Sequence, residues 1–113
     1  MQLADTLFVT GRLAEPALRA IVSELGIDHQ IAVMNISVAA LMTTRWIARR
    51  LSAPPGVDNI VIPGLCEGDV DTLQQATGLR VRKGPADARA LPEWYGREAM
   101  RAQNQSMRGV EYE

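Results

Sequence analysis

Short apolar runs alternate with amphipathic stretches along the chain, and this alternation predicts its secondary structure. Leu7 to Thr10 is a β-favouring apolar run closed by Gly11, which predicts a first strand. Apolar residues then recur at helical spacing from Leu13 to Leu25, and Gly26 follows as a suitable C-terminal cap. The next apolar run, Gln30 to Met34, predicts a second, buried strand.

A second helix is predicted from Val38 to Leu51, with Ser37 as its candidate N-cap. Its apolar positions define an inward stripe, whereas Arg45 and Arg49 lie one turn apart on another face. The stripe consists of Val38, Leu41, Thr44, Ile47, Ala48 and Leu51. This amphipathic pattern predicts a helix that covers one face of a sheet.

The alternation continues through the second half of the chain. Asn59 to Ile62 is rich in β-branched residues and predicts a third strand. Val70 to Ala76 predicts a short helix that Gly78 would cap, and Leu79 to Arg82 alternates apolar and basic residues as an edge strand does. The strand and helix unit is therefore predicted to occur three times before a final, weaker strand.

Two short helices are expected after the fourth strand, because Pro85 and Pro92 each stand where a first helical turn would begin. The break between these helices is expected near Leu91. An α/β domain is thus predicted over residues 1–96, and residues 97–113 are expected to form a helical or frayed tail.

The regular alternation predicts a three-layer, Rossmann/flavodoxin-like α/β domain with a mainly parallel sheet of about four strands. In such sheets ligands bind beyond the carboxyl ends of the strands, where helix N-termini supply unpaired N–H donors. Four loops are therefore expected to share one functional edge. They are Thr10 to Arg12, Asn35 to Ser37, Pro63 to Asp69 and Lys83 to Asp87.

Composition narrows the class of protein. With 113 residues the chain is long enough for one domain but too short for two ordinary ones. No apolar run has the length of a membrane span or of a secretory signal. The 12 basic and 13 acidic residues create no overall field for nucleic acid, and a single cysteine cannot form an internal disulfide. We therefore expect a cytoplasmic protein that binds neither nucleic acid nor membrane.

Cys66 stands in a segment, Gly64 to Gly68, that has the Gly-x-Cys-x-Gly form of a nucleophile elbow. A cysteine nucleophile needs a base, and the sole histidine, His29, precedes the second strand and is expected at the opposite edge of the sheet. The favoured interpretation is a small residue packed in a tight turn, and no catalytic residue is assigned. A small cysteine-dependent hydrolase or transferase is the alternative.

Polar residues of the four loops are the candidates for ligand binding. Asp69 is placed to cap the third helix, and Arg12 and Lys83 each lie beside a glycine, as in an anion site. No glycine-rich dinucleotide motif or phosphate loop is present, so no cofactor and no metal site is predicted. The candidate ligand-binding residues are Thr10, Gly11, Arg12, Asn35, Ser37, Gly64, Glu67, Gly68, Asp69, Lys83, Gly84 and Asp87.

Seven segments together resemble the N-terminal region of dihydropteroate synthase-related proteins, over about residues 3–96. They are Phe8 to Ala14, Val33 to Met34, Val38 to Leu41, Thr43 to Thr44, Ile60 to Asp69, Lys83 to Asp87 and Leu91 to Gly96. The resemblance implies a role near pterin chemistry, in methanopterin-linked one-carbon metabolism. Members of that family continue into a barrel that resembles dihydropteroate synthase and would hold the pterin.

The resemblance therefore implies an accessory domain that is not catalytic alone. Its loop edge would bind a small anionic or pterin-related ligand or dock on the barrel. A homo-oligomer built around Trp94 and Tyr95 is a further alternative. Pterin-condensing activity is expected to belong to the barrel, because function must be argued from a site.

Overall fold

The computed structural model describes residues 5–98. Its strands are β1 (Asp5–Thr10), β2 (His29–Val33), β3 (Val57–Ile62) and β4 (Arg80–Lys83). Its α-helices are α1 (Glu15–Leu25), α2 (Thr44–Arg50) and α3 (Val70–Thr77). Short 3-10 turns lie at Ala39–Leu41 and Ala88–Ala90, and residues 91–98 are also helical.

The four strands form one parallel sheet in the order β2-β1-β3-β4. This confirms the predicted α/β class and the parallel sheet of four strands, which is consistent with a Rossmann/flavodoxin-like fold. The chain runs outward from β1 to β2 and then crosses back to β3 on the other side of β1. The gap between β1 and β3 is therefore the switch point of the sheet, where ligands of such folds bind.

Helices cover both faces of the sheet. Successive strand side chains point to opposite faces, and each face has its own apolar cluster beneath the helices. Phe8 of β1 packs with Val22 of α1 and with Leu91, whereas Leu7 packs on the opposite face with Ile47 of α2 and Leu73 of α3. All of these side chains are buried. The apolar runs of β1 and β3 thus reflect strands that are covered on both sides.

Two helix ends agree with the predicted caps. Gly26 and Gly78 have φ angles of 69° and 72° and terminate α1 and α3. These left-handed angles favour glycine because an L side chain is strained there. β2 differs from its prediction as a buried strand, because it lies at an edge of the sheet and its side chains are half-buried or exposed.

The prediction of one long second helix capped by Ser37 is wrong. The segment instead contains the 3-10 turn Ala39–Leu41, and α2 begins only after Thr43, whose Oγ1 accepts a hydrogen bond from Trp46 N at 3.0 Å. This bond satisfies a free donor of the first helical turn. The inward stripe is correct for the buried Thr44 and Ile47 and wrong for Val38 and Leu41, which are exposed.

The predicted break near Leu91 is also wrong. The 3-10 turn Ala88–Ala90 leads directly into the helical residues 91–98, and Leu91 is buried at the join. Asp87 caps this segment, because its Oδ1 accepts a hydrogen bond from Arg89 N at 3.0 Å. The helical or frayed tail predicted for 97–113 lies outside the described residues from 99 onward.

Candidate functional site

The loops that follow the four strands meet at one edge, as a parallel sheet requires. They are joined in two pairs by backbone hydrogen bonds. Arg12 N donates to Ile36 O at 2.9 Å, which joins the loops after β1 and β2. Gly64 N donates to Pro85 O at 3.2 Å, which joins the loops after β3 and β4.

The first pair brings together three predicted site residues. The Arg12 guanidinium donates to Asn35 Oδ1 at 3.1 Å and to Ser37 Oγ at 3.2 Å. A Cβ at Gly11 would lie 2.9 Å from Ile36 O, so the loops could not approach this closely with a larger residue. The buried Thr10 accepts a backbone hydrogen bond from Met34 N at 2.8 Å. The result is an exposed guanidinium held in place by two neutral oxygens.

The second pair depends on two glycines. A Cβ at Gly64 would collide with Gly84 O and lie 2.7 Å from the carbonyl carbon of Pro85. Gly84 N donates to Ile62 O at 2.8 Å, which continues the pairing of β3 and β4 beyond the strands. Both predicted glycines therefore shape the backbone of the edge.

The segment from Glu67 to Asp69 packs on the start of α2. Thr44 N donates to Glu67 O at 2.9 Å, and a Cβ at Gly68 would collide with Thr44 Oγ1. Gly68 also has a φ of 109°, which favours glycine. Asp69 Oδ1 accepts from Asp71 N at 3.0 Å, so the interpretation of Asp69 as the N-cap of α3 is confirmed.

The Asp87 carboxylate pairs with a neighbouring residue of its own segment. Its carboxylate forms an exposed ion pair with Arg89 at 2.8 Å, and the side-chain hydrogen bond from Arg89 lowers the pKa of Asp87 to about 2. Lys83, by contrast, lies with Gly68 and Asp69 around a broad depression of about 730 Å³ beside β4. Asp69 thus lines this depression, whereas Asp87 is engaged by Arg89.

Cys66 is buried, and its Sγ lies 3.9 Å from the carbonyl oxygen of Ala39, which accepts its hydrogen bond. Burial raises the pKa of the thiol to about 11, and the positive charge of Lys83 offsets this only in part. His29 begins β2, at the opposite edge of the sheet, as predicted. A high pKa and a distant imidazole are unfavourable for a thiolate nucleophile.

Cys66 should make the stability of the domain depend on pH. The thiol has a higher pKa in the folded chain than its ordinary value of 9.0. The buried, protonated thiol therefore makes its full contribution to stability below pH 9, and this contribution is lost as the pH rises through the folded pKa. We expect the free energy of unfolding to fall between pH 9 and 11 by about 1 kcal/mol per pH unit. Urea unfolding of Cys66→Ala across this range is the control, because the variant should lose this slope. An equal slope in both proteins would contradict the prediction.

Sequence reasoning missed the apolar character of this edge. A small cavity of about 80 Å³ opens between the ends of β1 and β3, with Phe8 and Leu91 in its lining. Four exposed apolar side chains lie in the segments that follow β1, β2 and β3: Leu13 (73% exposed), Val38 (44%), Leu41 (71%) and Leu65 (56%).

The part of the chain that the structure describes, residues 5–98, offers neither a metal site nor a membrane span. Within that range no group of three or more His, Cys, Asp or Glu side chains is placed to hold a metal ion. Among the helices of the same residues, none is long and apolar enough to cross a membrane.

Comparison with known proteins gives a family but no activity. No curated protein matches the chain. A family model described as "Family of unknown function (DUF6513)" matches residues 4–86, which cover all four strands and the loops of the edge up to Ala86. Because this match spans well over half of the sequence, the chain belongs to the DUF6513 family.

Proposed function

We propose that this chain is an accessory, non-catalytic α/β domain that docks through the carboxyl edge of its sheet on a second protein domain. The observation that carries the proposal is the exposure of Leu13, Leu41 and Leu65 together at that edge. Exposed apolar groups that cluster around a concave surface are typical of protein interaction sites. The resemblance to dihydropteroate synthase-related proteins supports a pterin-binding barrel as the docking partner.

Hydrogen bonds link the segments that carry the exposed apolar residues. Leu13 N donates to Ser37 O at 3.1 Å, which fixes Leu13 beside Val38. The contact of Cys66 Sγ with Ala39 O then brings the loop that carries Leu65 against the 3-10 turn that ends at Leu41. We call Leu13, Val38, Leu41 and Leu65 the apolar rim. Its loops are held by hydrogen bonds, so docking would require little ordering of the backbone.

The size of the cavity between the ends of β1 and β3 favours a protein partner over an enclosed ligand. Its volume of about 80 Å³ is close to half of the roughly 150 Å³ that an apolar cavity needs to accept benzene. A bicyclic pterin is larger than benzene and would not be enclosed. One aliphatic side chain of a partner domain matches this space better.

Several candidate residues of the edge already have structural roles, which also favours docking. Asp69 caps α3, Asp87 pairs with Arg89, and Gly64 and Gly84 hold the loops together. With the barrel as partner, the domain would act in cytoplasmic, methanopterin-linked one-carbon metabolism. The metabolic part of this setting rests on the resemblance, and the cytoplasmic location rests on the composition of the chain.

The test begins with the DNA immediately downstream of the coding region. An in-frame barrel segment would supply the partner, which is then produced separately and titrated with this domain by calorimetry. Leu41→Asp together with Leu65→Asp should weaken binding about 100-fold, because burial of two leucines contributes about 3 kcal/mol. The matched control is Ala20→Asp with Ala76→Asp, at exposed positions of α1 and α3.

Equal weakening by both pairs of substitutions, or the absence of a barrel segment, would contradict docking. The second candidate function is binding of a small anionic or pterin-related ligand, which the exposed, oriented guanidinium of Arg12 favours. Heat on titration of this domain with pterin or phosphate compounds, lost in Arg12→Gln, would support that function instead.

A cysteine-dependent enzyme and a homo-oligomer receive less support from the geometry. The burial of Cys66 counts against a cysteine nucleophile. Trp94 and Tyr95 pack within the domain, with their rings 4.8 Å apart and Tyr95 6.4 Å from Phe8. Contacts inside the domain therefore explain the packing of both aromatic residues, and a homo-oligomeric interface is not needed to explain it.

A further inference from the structure

The outer face of α2 carries a concentration of positive charge that its own domain does not balance. Arg45, Arg49 and Arg50 are exposed, and the helix Thr44–Arg50 contains no acidic residue. Within residues 5–98, none of the three forms an ion pair. We propose that this face binds an acidic segment of a partner protein, whose carboxylates pair with the three guanidinium groups.

Three of the five other exposed arginines among residues 5–98 have a local carboxylate partner, which supports this proposal. Arg19 pairs with Glu15 at 2.7 Å, Arg89 pairs with Asp87 at 2.8 Å, and Arg97 lies 3.6 Å from an acidic side chain one turn away. Within the described part of the chain, Arg12 and Arg80 are exposed without an ion pair, but each stands singly in its segment, whereas α2 carries three such arginines within six residues. On α2 the carboxylates would come from outside the domain.

Helix stability does not explain the position of Arg45. It lies in the first turn of α2, where the positive end of the helix dipole repels a cation. It also lies four residues before Arg49, and like charges at that spacing destabilise a helix. Arg49 and Arg50 in the last turn are favourable for the dipole, but Arg45 is not. A residue that destabilises the helix in which it lies is a candidate for a binding role.

The geometry presents two of the charges in a defined arrangement. Arg45 and Arg49 are four residues apart and so lie about 6 Å apart along the helix axis. The guanidinium of Arg50 lies 4.5 Å from the centre of the Trp46 ring, and this cation–π contact restricts its motion. Carboxylates one helical turn apart on a partner would match the spacing of Arg45 and Arg49.

An acidic protein segment fits this face better than nucleic acid does. The whole chain has a net charge of −1, so no wide positive field surrounds the three arginines. Non-specific binding of single strands also uses exposed aromatic faces on which bases stack. Trp46 is the one aromatic residue of α2, and Arg50 lies over its ring.

The experiment measures the fluorescence anisotropy of a labelled decaglutamate peptide titrated with the full chain at low ionic strength. Replacement of Arg45, Arg49 and Arg50 by glutamine should weaken binding about tenfold. The matched control replaces Arg19, Arg80 and Arg89 by glutamine, which changes the net charge equally and should weaken binding less than about twofold. Arg45→Gln alone leaves Arg50 on Trp46 and should weaken binding about threefold without lowering the melting temperature.

Equal weakening in both triple variants, or no binding of decaglutamate at all, would overturn the proposal. Tighter binding of a thymidine decanucleotide than of decaglutamate would also overturn it. The outcome does not depend on docking at the apolar rim. Leu41→Ala and Leu65→Ala, which change no charge, should bind the peptide as the unmodified chain does.

Discussion

Gly64→Ala is expected to lower the free energy of unfolding by about 3 kcal/mol. The new methyl group would collide with Gly84 O and lie 2.7 Å from the carbonyl carbon of Pro85. Both obstacles are backbone atoms, so no side chain can rotate away to make room. Because Gly64 is not among the glycines with positive φ, the cost is steric and not conformational. Urea unfolding followed by circular dichroism gives the measurement.

Gly96→Ala is the matched control for this substitution. Gly96 lies in the helical residues 91–98, and a Cβ there would meet no atom within 4 Å. Alanine is the better helix former, so this variant should be unchanged or more stable by up to about 1 kcal/mol. Equal stability of Gly64→Ala and the unmodified chain would show that the loops after β3 and β4 can separate at little cost. The cavity between β1 and β3 would then not be a fixed feature of the edge.

The sheet was predictable because the strand signal is local. β1 and β3 are buried on both faces, so they appear in the sequence as short, continuous apolar runs. Gly26 and Gly78 were recognisable as caps for the same reason, since each needs only its own φ angle. The parallel order then follows from the alternation of strands with helices.

The second helix was not predictable from periodicity alone. Val38 and Leu41 fit the helical spacing, yet both are exposed, and Met42, outside the predicted stripe, is buried. The competing factor is Thr43, which forms both the cap of α2 and a bridge to Glu67, far away in the sequence. The amphipathic pattern of one segment cannot show a contact with a residue so far away in the sequence.

The meeting of the loops at one edge was predicted, but the exposed apolar side chains there were not. The expected loops do meet at one edge, and Arg12 does contact Asn35 and Ser37. The helix caps formed by Asp69 and Asp87 give these polar residues a structural role, because turns and helix starts need the same residue types as ligand sites, and their role in ligand binding stays a prediction. Tertiary structure was needed to show which polar groups are already engaged and which apolar ones are left exposed.

Phe8→Ala should have the largest effect of all, a loss of about 4 kcal/mol in the free energy of unfolding. Phe8 is 2% exposed at the centre of the sheet, with its ring 6.4 Å from the rings of both His29 and Tyr95. Its removal leaves a void under the helical residues 91–98 that the paired strands cannot close. Phe8→Leu, the control, should lose only about 1 kcal/mol because most of the volume is kept.

The Phe8 substitution also tests the cavity at the switch point, because the Phe8 ring forms part of its lining. If the surrounding sheet is rigid, the cavity in Phe8→Ala should grow beyond 80 Å³ and accept benzene. Saturating benzene should then raise the melting temperature of Phe8→Ala but not that of Phe8→Leu. A small loss of stability with no response to benzene would mean that the helices collapse into the void. The opening between β1 and β3 would in that case adapt to its occupant instead of selecting one by size.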